Sequence, residues 1–105
     1  MPLPPLSDED RRAALVKAAD ARRERALVKH RLKQATVSLT EVIEEGRRDD
    51  VVGKLKVAAL LASMPGVGKV RAQAIMDRLA ISPTRRVRGL GENQIAALKR
   101  EFGET

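Results

Sequence analysis

The residues best suited to chemistry lie in Met64–Arg71, which reads Met-Pro-Gly-Val-Gly-Lys-Val-Arg. Two glycines flank one apolar residue, so the backbone can turn tightly while Val67 points inward. The helix expected to follow directs its unpaired N–H groups outward, which suits a phosphate, and glycine leaves room for that approach. The alternative is that the segment only connects two helices. The residues assigned to this predicted anion site are Gly66, Val67, Gly68, Lys69, Val70 and Arg71.

A second turn repeats this chemistry further along the chain. The segment Gly89–Gly91 again places two glycines around one apolar residue before a predicted helix. Three arginines, Arg85, Arg86 and Arg88, precede it within four positions. An arginine cluster is usually a solvated surface, but its position beside a second Gly-x-Gly turn favours a second phosphate-binding site.

Positive charge concentrates in the second half of the chain. The 105 residues carry a formal net charge of +7 at pH 7, and the span Lys54–Arg88 holds eight basic residues against one acid, Asp77. This balance points to a polyanionic partner or an anionic membrane surface. Lys54 and Lys56 lie upstream of the first turn, and we expect them to extend the same anion-binding surface.

Enzyme-like patterns do not hold. Gly68 followed by Lys69 suggests a phosphate-binding P-loop, but that motif requires Ser or Thr at the position of Val70. It also requires a β-strand immediately before the loop, and none is predicted here. Pro2 resembles the nucleophile of glycosylases that begin with proline, yet the partner acid and the zinc ligands are missing. His30 is the single histidine and reads as an exposed position on a helix. We therefore predict no enzyme activity, no small-molecule substrate, no cofactor and no metal site.

Composition narrows the partner further. Cysteine is absent, which excludes disulfides and thiolate sites and fits a reducing cytoplasm. Phe102 is the single aromatic residue, whereas proteins that bind single strands or RNA usually stack bases on aromatic rings. No run approaches the roughly 18 apolar residues of a membrane span. We expect a cytoplasmic protein with no membrane partner, bound to double-stranded DNA.

The elements that position these residues are predicted to be helices. Met1–Leu6 is rich in proline and is expected to be extended or disordered. Ser7 and Asp10 have capping-box spacing, which predicts a long helix from about Asp8 to about Gln34. Its second half can dock through Val28 and Leu32, whereas its first half has too little apolar surface to dock. Basic residues of this helix that could reach a second stretch of duplex are Arg22, Arg23 and Arg25.

Shorter helices follow. Ser38 and Glu41 form a second capping-box pattern for a helix ending around Gly46, and Arg47–Asp50 is predicted to be a charged linker. The next helix has Val57, Leu60, Leu61 and Met64 on one face. A further helix is expected from about Lys69, packed through Val70, Ala74, Ile75 and Leu79. The last begins near Glu92, capped by Gly91 and Gln94, and buries Ile95, Leu98 and Phe102.

The alternation of helices with two Gly-x-Gly turns resembles the helix-two-turn-helix module, so we predict an all-α fold. The whole chain resembles the actinobacterial integration host factors. The segments that carry this resemblance are Leu-Pro-Pro-Leu at the start, the Ala/Arg helix, Val-Gly-Lys-Leu-Lys-Val at 52–57, Pro-Gly-Val-Gly-Lys-Val-Arg-Ala at 65–72 and Arg-Arg-Val-Arg-Gly-Leu-Gly at 85–91.

The resemblance implies a nucleoid-associated protein that binds duplex DNA largely without sequence specificity, bends or compacts it and assists phage integration. It implies DNA contacts by Gly66, Gly68, Lys69, Arg85, Arg86 and Arg88. Residues 1–37 are predicted to form an arm with the long basic helix, and residues 38–105 a helix-two-turn-helix DNA-binding domain. We expect a monomer located in the nucleoid, with a phage integrase as a partner on DNA.

Two other functions compete with this interpretation. A ribosomal RNA-binding protein would use the same module, although a basic C-terminal tail would be expected where this chain has Gly103-Glu104-Thr105. An interaction module that docks through its Ala-rich helix is the second alternative. Retention of DNA binding by residues 41–105 alone would weaken it.

Overall fold

The computed structural model describes residues 7–104, so the predicted extended segment Met1–Leu6 lies outside the described residues. Across this range the only extended pairing is a single antiparallel bridge between Lys56 and Arg86, and the all-α prediction is confirmed. A 3₁₀ turn occupies Val87–Gly89. The helices are α1 (Asp8–Lys33), α2 (Leu39–Gly46), α3 (Asp50–Gly53), α4 (Val57–Ser63), α5 (Gly68–Arg78) and α6 (Glu92–Glu101).

The long helix α1 is docked at one end. Its start is fixed by the predicted capping box, in which the Asp10 N–H donates to Ser7 Oγ at 3.1 Å and the Ser7 N–H to Asp10 Oδ2 at 3.4 Å. Its buried side chains are Val28 and Leu32, both in the second half as predicted. The first half has no buried residue, so intrinsic helix propensity and the cap must hold it.

We expect residues 8–25 to exchange their amide hydrogens rapidly in the free protein and slowly on duplex DNA. The reason is that this segment buries too little apolar area to resist local opening, whereas phosphate contacts on its basic side chains would offset the entropy of ordering. Hydrogen exchange with and without duplex measures the difference. Strong protection of residues 8–25 in the free protein would contradict this expectation.

The N-terminus of helix α2 is capped by two residues, the adjacent Ser38 and the distant Glu104. Ser38 Oγ accepts from the Glu41 N–H at 3.1 Å, as the capping-box spacing predicts. The Glu104 carboxylate also accepts from the Leu39 N–H at 3.0 Å and from the Thr40 N–H and hydroxyl at 2.7 and 2.6 Å. A carboxylate at a helix N-terminus neutralises unpaired N–H groups and the positive end of the dipole. The C-terminal segment therefore closes the fold.

Replacing Glu104 by alanine should lower the free energy of unfolding by about 1–2 kcal/mol, because the variant cannot form the three hydrogen bonds that this half-buried carboxylate accepts. Thermal or urea unfolding measures the change. Glu9→Ala, at an exposed position near the start of α1, is the control and should cost less than about 0.5 kcal/mol. Equal effects of the two substitutions would show that the Glu104 cap contributes nothing.

The predicted charged linker is non-helical over Arg47–Asp49, and Asp50 begins a short helix, α3, that was not predicted from the sequence. Asp49 Oδ1 accepts from the Val51 and Val52 N–H groups at 2.8 and 3.3 Å and so starts the short helix α3. Helices α2 and α3 approach closely at two glycines: a Cβ added to Gly53 would lie 2.5 Å from the Gly46 carbonyl oxygen. A side chain at position 53 would collide with the backbone of α2, so this contact requires glycine.

All six helices of the described residues contribute buried side chains to one apolar core. Val57, Leu60 and Leu61 of α4 are buried as the i, i+3, i+4 spacing predicts. The face predicted for α5 is partly wrong, because its buried residues are Ala72, Ile75 and Met76, whereas Val70 is 86% exposed and Ala74 is exposed. In α6, Ile95 and Leu98 are buried and Phe102 packs half-buried against the same core.

Candidate nucleic-acid interface

The first turn has the geometry that its sequence predicts. Gly66 and Gly68 both have positive φ, +74° and +69°, in the region that favours glycine. Val67 lies between them and packs half-buried against the core, as the predicted inward-pointing residue. Its N–H donates to the Met64 carbonyl at 3.2 Å, which closes the turn. The two glycine backbones are thereby held at the surface around a fixed apolar anchor.

The space in front of these glycines is open. A Cβ added to Gly66 or to Gly68 would meet no atom of the protein within 4 Å. Lys69, Val70 and Arg71 follow directly and are exposed on the first turn of α5. The structure therefore brings the predicted first-turn residues together around a backbone that a ligand can approach, with two cations beside it.

The second basic cluster is brought to the start of α4 by main-chain pairing. The Val57 N–H donates to the Arg85 carbonyl at 3.0 Å, and the Val87 N–H donates to the Leu55 carbonyl at 2.9 Å. Leu55 and Val87 are buried, so the side chains alternating with them point outward. The exposed cations gathered by this pairing are Lys54, Lys56, Arg85, Arg86 and Arg88.

Two of these arginines also support the fold. Arg86 Nη1 donates to the Lys54 carbonyl at 2.7 Å, and Arg85 Nη1 donates to the Gly89 carbonyl at 3.1 Å. Both side chains remain exposed. Each guanidinium has five N–H donors, so one bond to the backbone leaves donors for a phosphate. These contacts hold the arginines in place beside the second turn.

The second turn differs from the first in backbone conformation. Positive φ among the glycines of the described residues occurs at Gly66, Gly68 and Gly103, and not at Gly89 or Gly91. The Gly91 N–H is already donated to Gln94 Oε1 at 3.0 Å. Arginine side chains rather than an open glycine backbone therefore dominate the chemistry of this second turn.

A groove between α4 and α5 joins the two clusters. It encloses about 500 Å³, with Lys56 and Lys69 among its lining residues and three alanines of α4 between them. Lys56 belongs to the second cluster through its bridge to Arg86, and Lys69 follows the first turn. We call the surface formed by the first turn, this groove and the second cluster the basic face.

Residues of α1 that the sequence did not single out as site residues also border the first turn. Lys29, His30 and Lys33 line a cleft of about 620 Å³ against Gly66, Val67 and Gly68. In the sequence, these residues stand near Val28 and Leu32, the two apolar positions through which α1 docks, and this neighbourhood places them near the domain. The sequence alone could not identify them as site residues, because it does not show which part of the domain α1 packs against.

The three arginines of α1 that were predicted to form a second DNA contact do not form one cluster. Arg22 is exposed and Arg25 is half-buried, and their i, i+3 spacing places them on one face of the helix. Arg23 donates from Nη2 to Asp20 Oδ1 at 2.6 Å and both groups are largely exposed, so this ion pair contributes little. The three arginines thus divide between two faces of α1.

The described residues contain no cluster of His, Asp and Glu that could hold a metal ion, and their buried side-chain polar atoms all have partners. An ion pair also lies away from the basic face. Arg78 forms two hydrogen bonds with Glu101, and this ion pair lowers the pKa of the Glu101 carboxyl.

None of the helices in the described part of the chain is long and apolar enough to cross a membrane.

Comparisons with known proteins agree on one family. A family model described as S13-like H2TH domain matches residues 32–102. The chain is 68% identical to the integration host factor of Streptomyces coelicolor over 100% of this chain and 98% of that protein. It is 56% identical to the integration host factor of Mycobacterium tuberculosis over 98% of both chains.

A solved structure of sIHF bound to an 8-bp palindromic DNA superimposes on this fold with a TM-score of 0.82 at 69% identity. The matched region covers 83% of this chain and 98% of the sIHF chain. The helix-two-turn-helix arrangement around the two turns, the long first helix and the identity over nearly the full length all lead to one assignment. The chain belongs to the actinobacterial integration host factor family.

Proposed function

We propose that this protein binds double-stranded DNA through the phosphate backbone, largely without sequence specificity. The observation that carries the proposal is the basic face, where an open glycine turn and two clusters of exposed cations adjoin one another. The DNA-bound state of the related sIHF supports it. Backbone contacts fix position on the duplex but read no bases, which is why we propose little sequence preference.

At the first turn, the backbone supplies the contact. The N–H groups at the start of α5 are directed outward at a helix N-terminus and attract a phosphate. Because Gly66 and Gly68 carry no side chain, a phosphate oxygen can approach the main chain there. Lys69 and Arg71 then neutralise neighbouring phosphates, and the exposed Val70 lies between them on the DNA-facing surface.

At the second cluster, side chains supply the contact. Arg85, Arg86 and Arg88 present planar guanidinium groups, which bind phosphate oxygens in a bidentate manner. Lys54 and Lys56 extend this row along the duplex as flexible point charges. Two phosphate sites joined by the α4–α5 groove would hold the protein across a stretch of backbone.

The arm and long helix of residues 1–37 form a second DNA-contacting unit in this proposal, beside the domain of residues 38–105. Arg22, Arg23 and Arg25 would reach another stretch of duplex. One protein with two footprints bends or bridges DNA, and so compacts it and assists phage integration, with an integrase acting on the same DNA. We further propose a monomer of the cytoplasmic nucleoid that binds without catalysing a reaction.

Ribosomal RNA is the second candidate, because a ribosomal RNA-binding protein would use the same H2TH module that the family model matches over residues 32–102. Competition separates the two. Fluorescently labelled duplex DNA is bound to the protein at one fixed salt concentration and displaced by unlabelled duplex or by structured RNA of equal length. We expect duplex to compete at least about tenfold better. Stronger competition by RNA would overturn the DNA proposal.

A further inference from the structure

The cleft between α1 and the first turn has two chemically different walls. Lys29, His30 and Lys33 form one wall, and the glycine turn forms the other. These three side chains are the charged or titratable groups that line the cleft; the other lining residues are uncharged. The cleft encloses about 620 Å³, which is ample for a phosphodiester with its sugars. An anionic ligand is the chemistry that such a surface favours.

The helix segment that carries this wall is docked on the core. Val28 and Leu32 are 2% and 1% exposed, and Lys29 and Lys33 each follow one of them directly. The part of α1 that carries the wall is therefore the docked half, in contrast to the exposed half before residue 25. A preformed site binds with a smaller loss of conformational entropy than one that must order first.

We propose that this cleft binds a DNA phosphate between α1 and the first turn, with Lys29 and Lys33 as its cationic contacts. The inference rests on the proposed duplex binding and deepens it. Gly66 and Gly68 belong both to the cleft and to the basic face, so a strand on that face continues into the cleft. The first turn is then closed by α1 and is not a one-sided surface.

The lysines are tested by salt dependence. Lys29→Ala combined with Lys33→Ala should make the log–log salt slope of duplex affinity shallower by about 1, because the two lysines together neutralise one phosphate. Arg31→Ala combined with Arg100→Ala is the matched control, because both residues are exposed and lie outside the cleft lining. Circular dichroism verifies that each variant remains folded.

The outcomes separate this inference from the proposed function. If the lysine variant keeps an unchanged slope, the cleft does not bind a DNA phosphate. If the loss of Arg85, Arg86 and Arg88 still weakens duplex binding, the proposed DNA binding itself stands. Inorganic pyrophosphate titrated into the DNA-free protein distinguishes the source of the phosphate. We expect no saturable binding at or below about 1 mM. Saturable binding in that range would assign the cleft to a free phosphorylated ligand and overturn the DNA assignment.

Discussion

Replacing Arg85, Arg86 and Arg88 together by alanine should weaken duplex binding about a hundredfold or more at about 0.1 M salt, on every sequence tested. Each guanidinium is expected to form charge-assisted hydrogen bonds with phosphate that no other residue replaces. The salt slope should become shallower by about 3. Fluorescence anisotropy on several unrelated duplexes measures both quantities.

The same variant should retain its helices. The three side chains are exposed, but Arg85 and Arg86 also donate to backbone carbonyls, so we expect a loss of about 1–2 kcal/mol of stability. Arg47→Ala, Arg48→Ala and Arg100→Ala, combined in one protein, form the charge-matched control, since they remove the same charge outside the basic face. Unchanged affinity in the Arg85–Arg88 variant, or equal losses in both proteins, would place the anion site elsewhere.

Substitution of Gly66 or Gly68 by alanine should cost affinity beyond any cost in stability. We expect about tenfold weaker duplex binding for each variant, or roughly 1.4 kcal/mol, because an added Cβ occupies the space through which a phosphate approaches the backbone. Both positions have positive φ, so each variant should also lose about 1–2 kcal/mol of stability. Affinity is measured at a temperature where melting curves show both variants fully folded.

Gly103→Ala is the matched control for these variants. Gly103 also has positive φ, +65°, and open space where a Cβ would stand, but it lies after α6 and outside the basic face. Its variant should lose similar stability and keep full affinity. If the Gly66 and Gly68 variants also keep full affinity when folded, the site is an electrostatic surface of lysine and arginine, and the backbone makes no contact.

Local patterns in the sequence were sufficient for most of the fold. The capping boxes at Ser7 and Ser38 mark where α1 and α2 begin, because a cap depends only on residues three positions apart. The first turn was predictable for the same reason, since its shape follows from two glycines around Val67. Both glycines have positive φ, so neither position accepts alanine without strain.

Features that depend on contacts between distant segments could not be predicted. The face of α5 was misplaced because Val70, Ala74, Ile75 and Leu79 also have helical spacing, and only the position of α4 decides which stripe is buried. The pairing of Leu55–Val57 with Arg85–Val87, which assembles the second cluster, spans about thirty residues and has no local signature. The cleft beside Lys29 and Lys33 likewise depends on where α1 docks.

Salt titration of duplex affinity tests most directly the central claim, that the protein binds the phosphate backbone. With roughly six to ten phosphates contacted, a plot of log affinity against log salt concentration should have a slope of about −5 to −9. Unrelated duplexes of equal length should give the same slope and nearly the same affinity. A slope shallower than about −2, or a preference for one sequence by more than about a hundredfold, would contradict backbone binding.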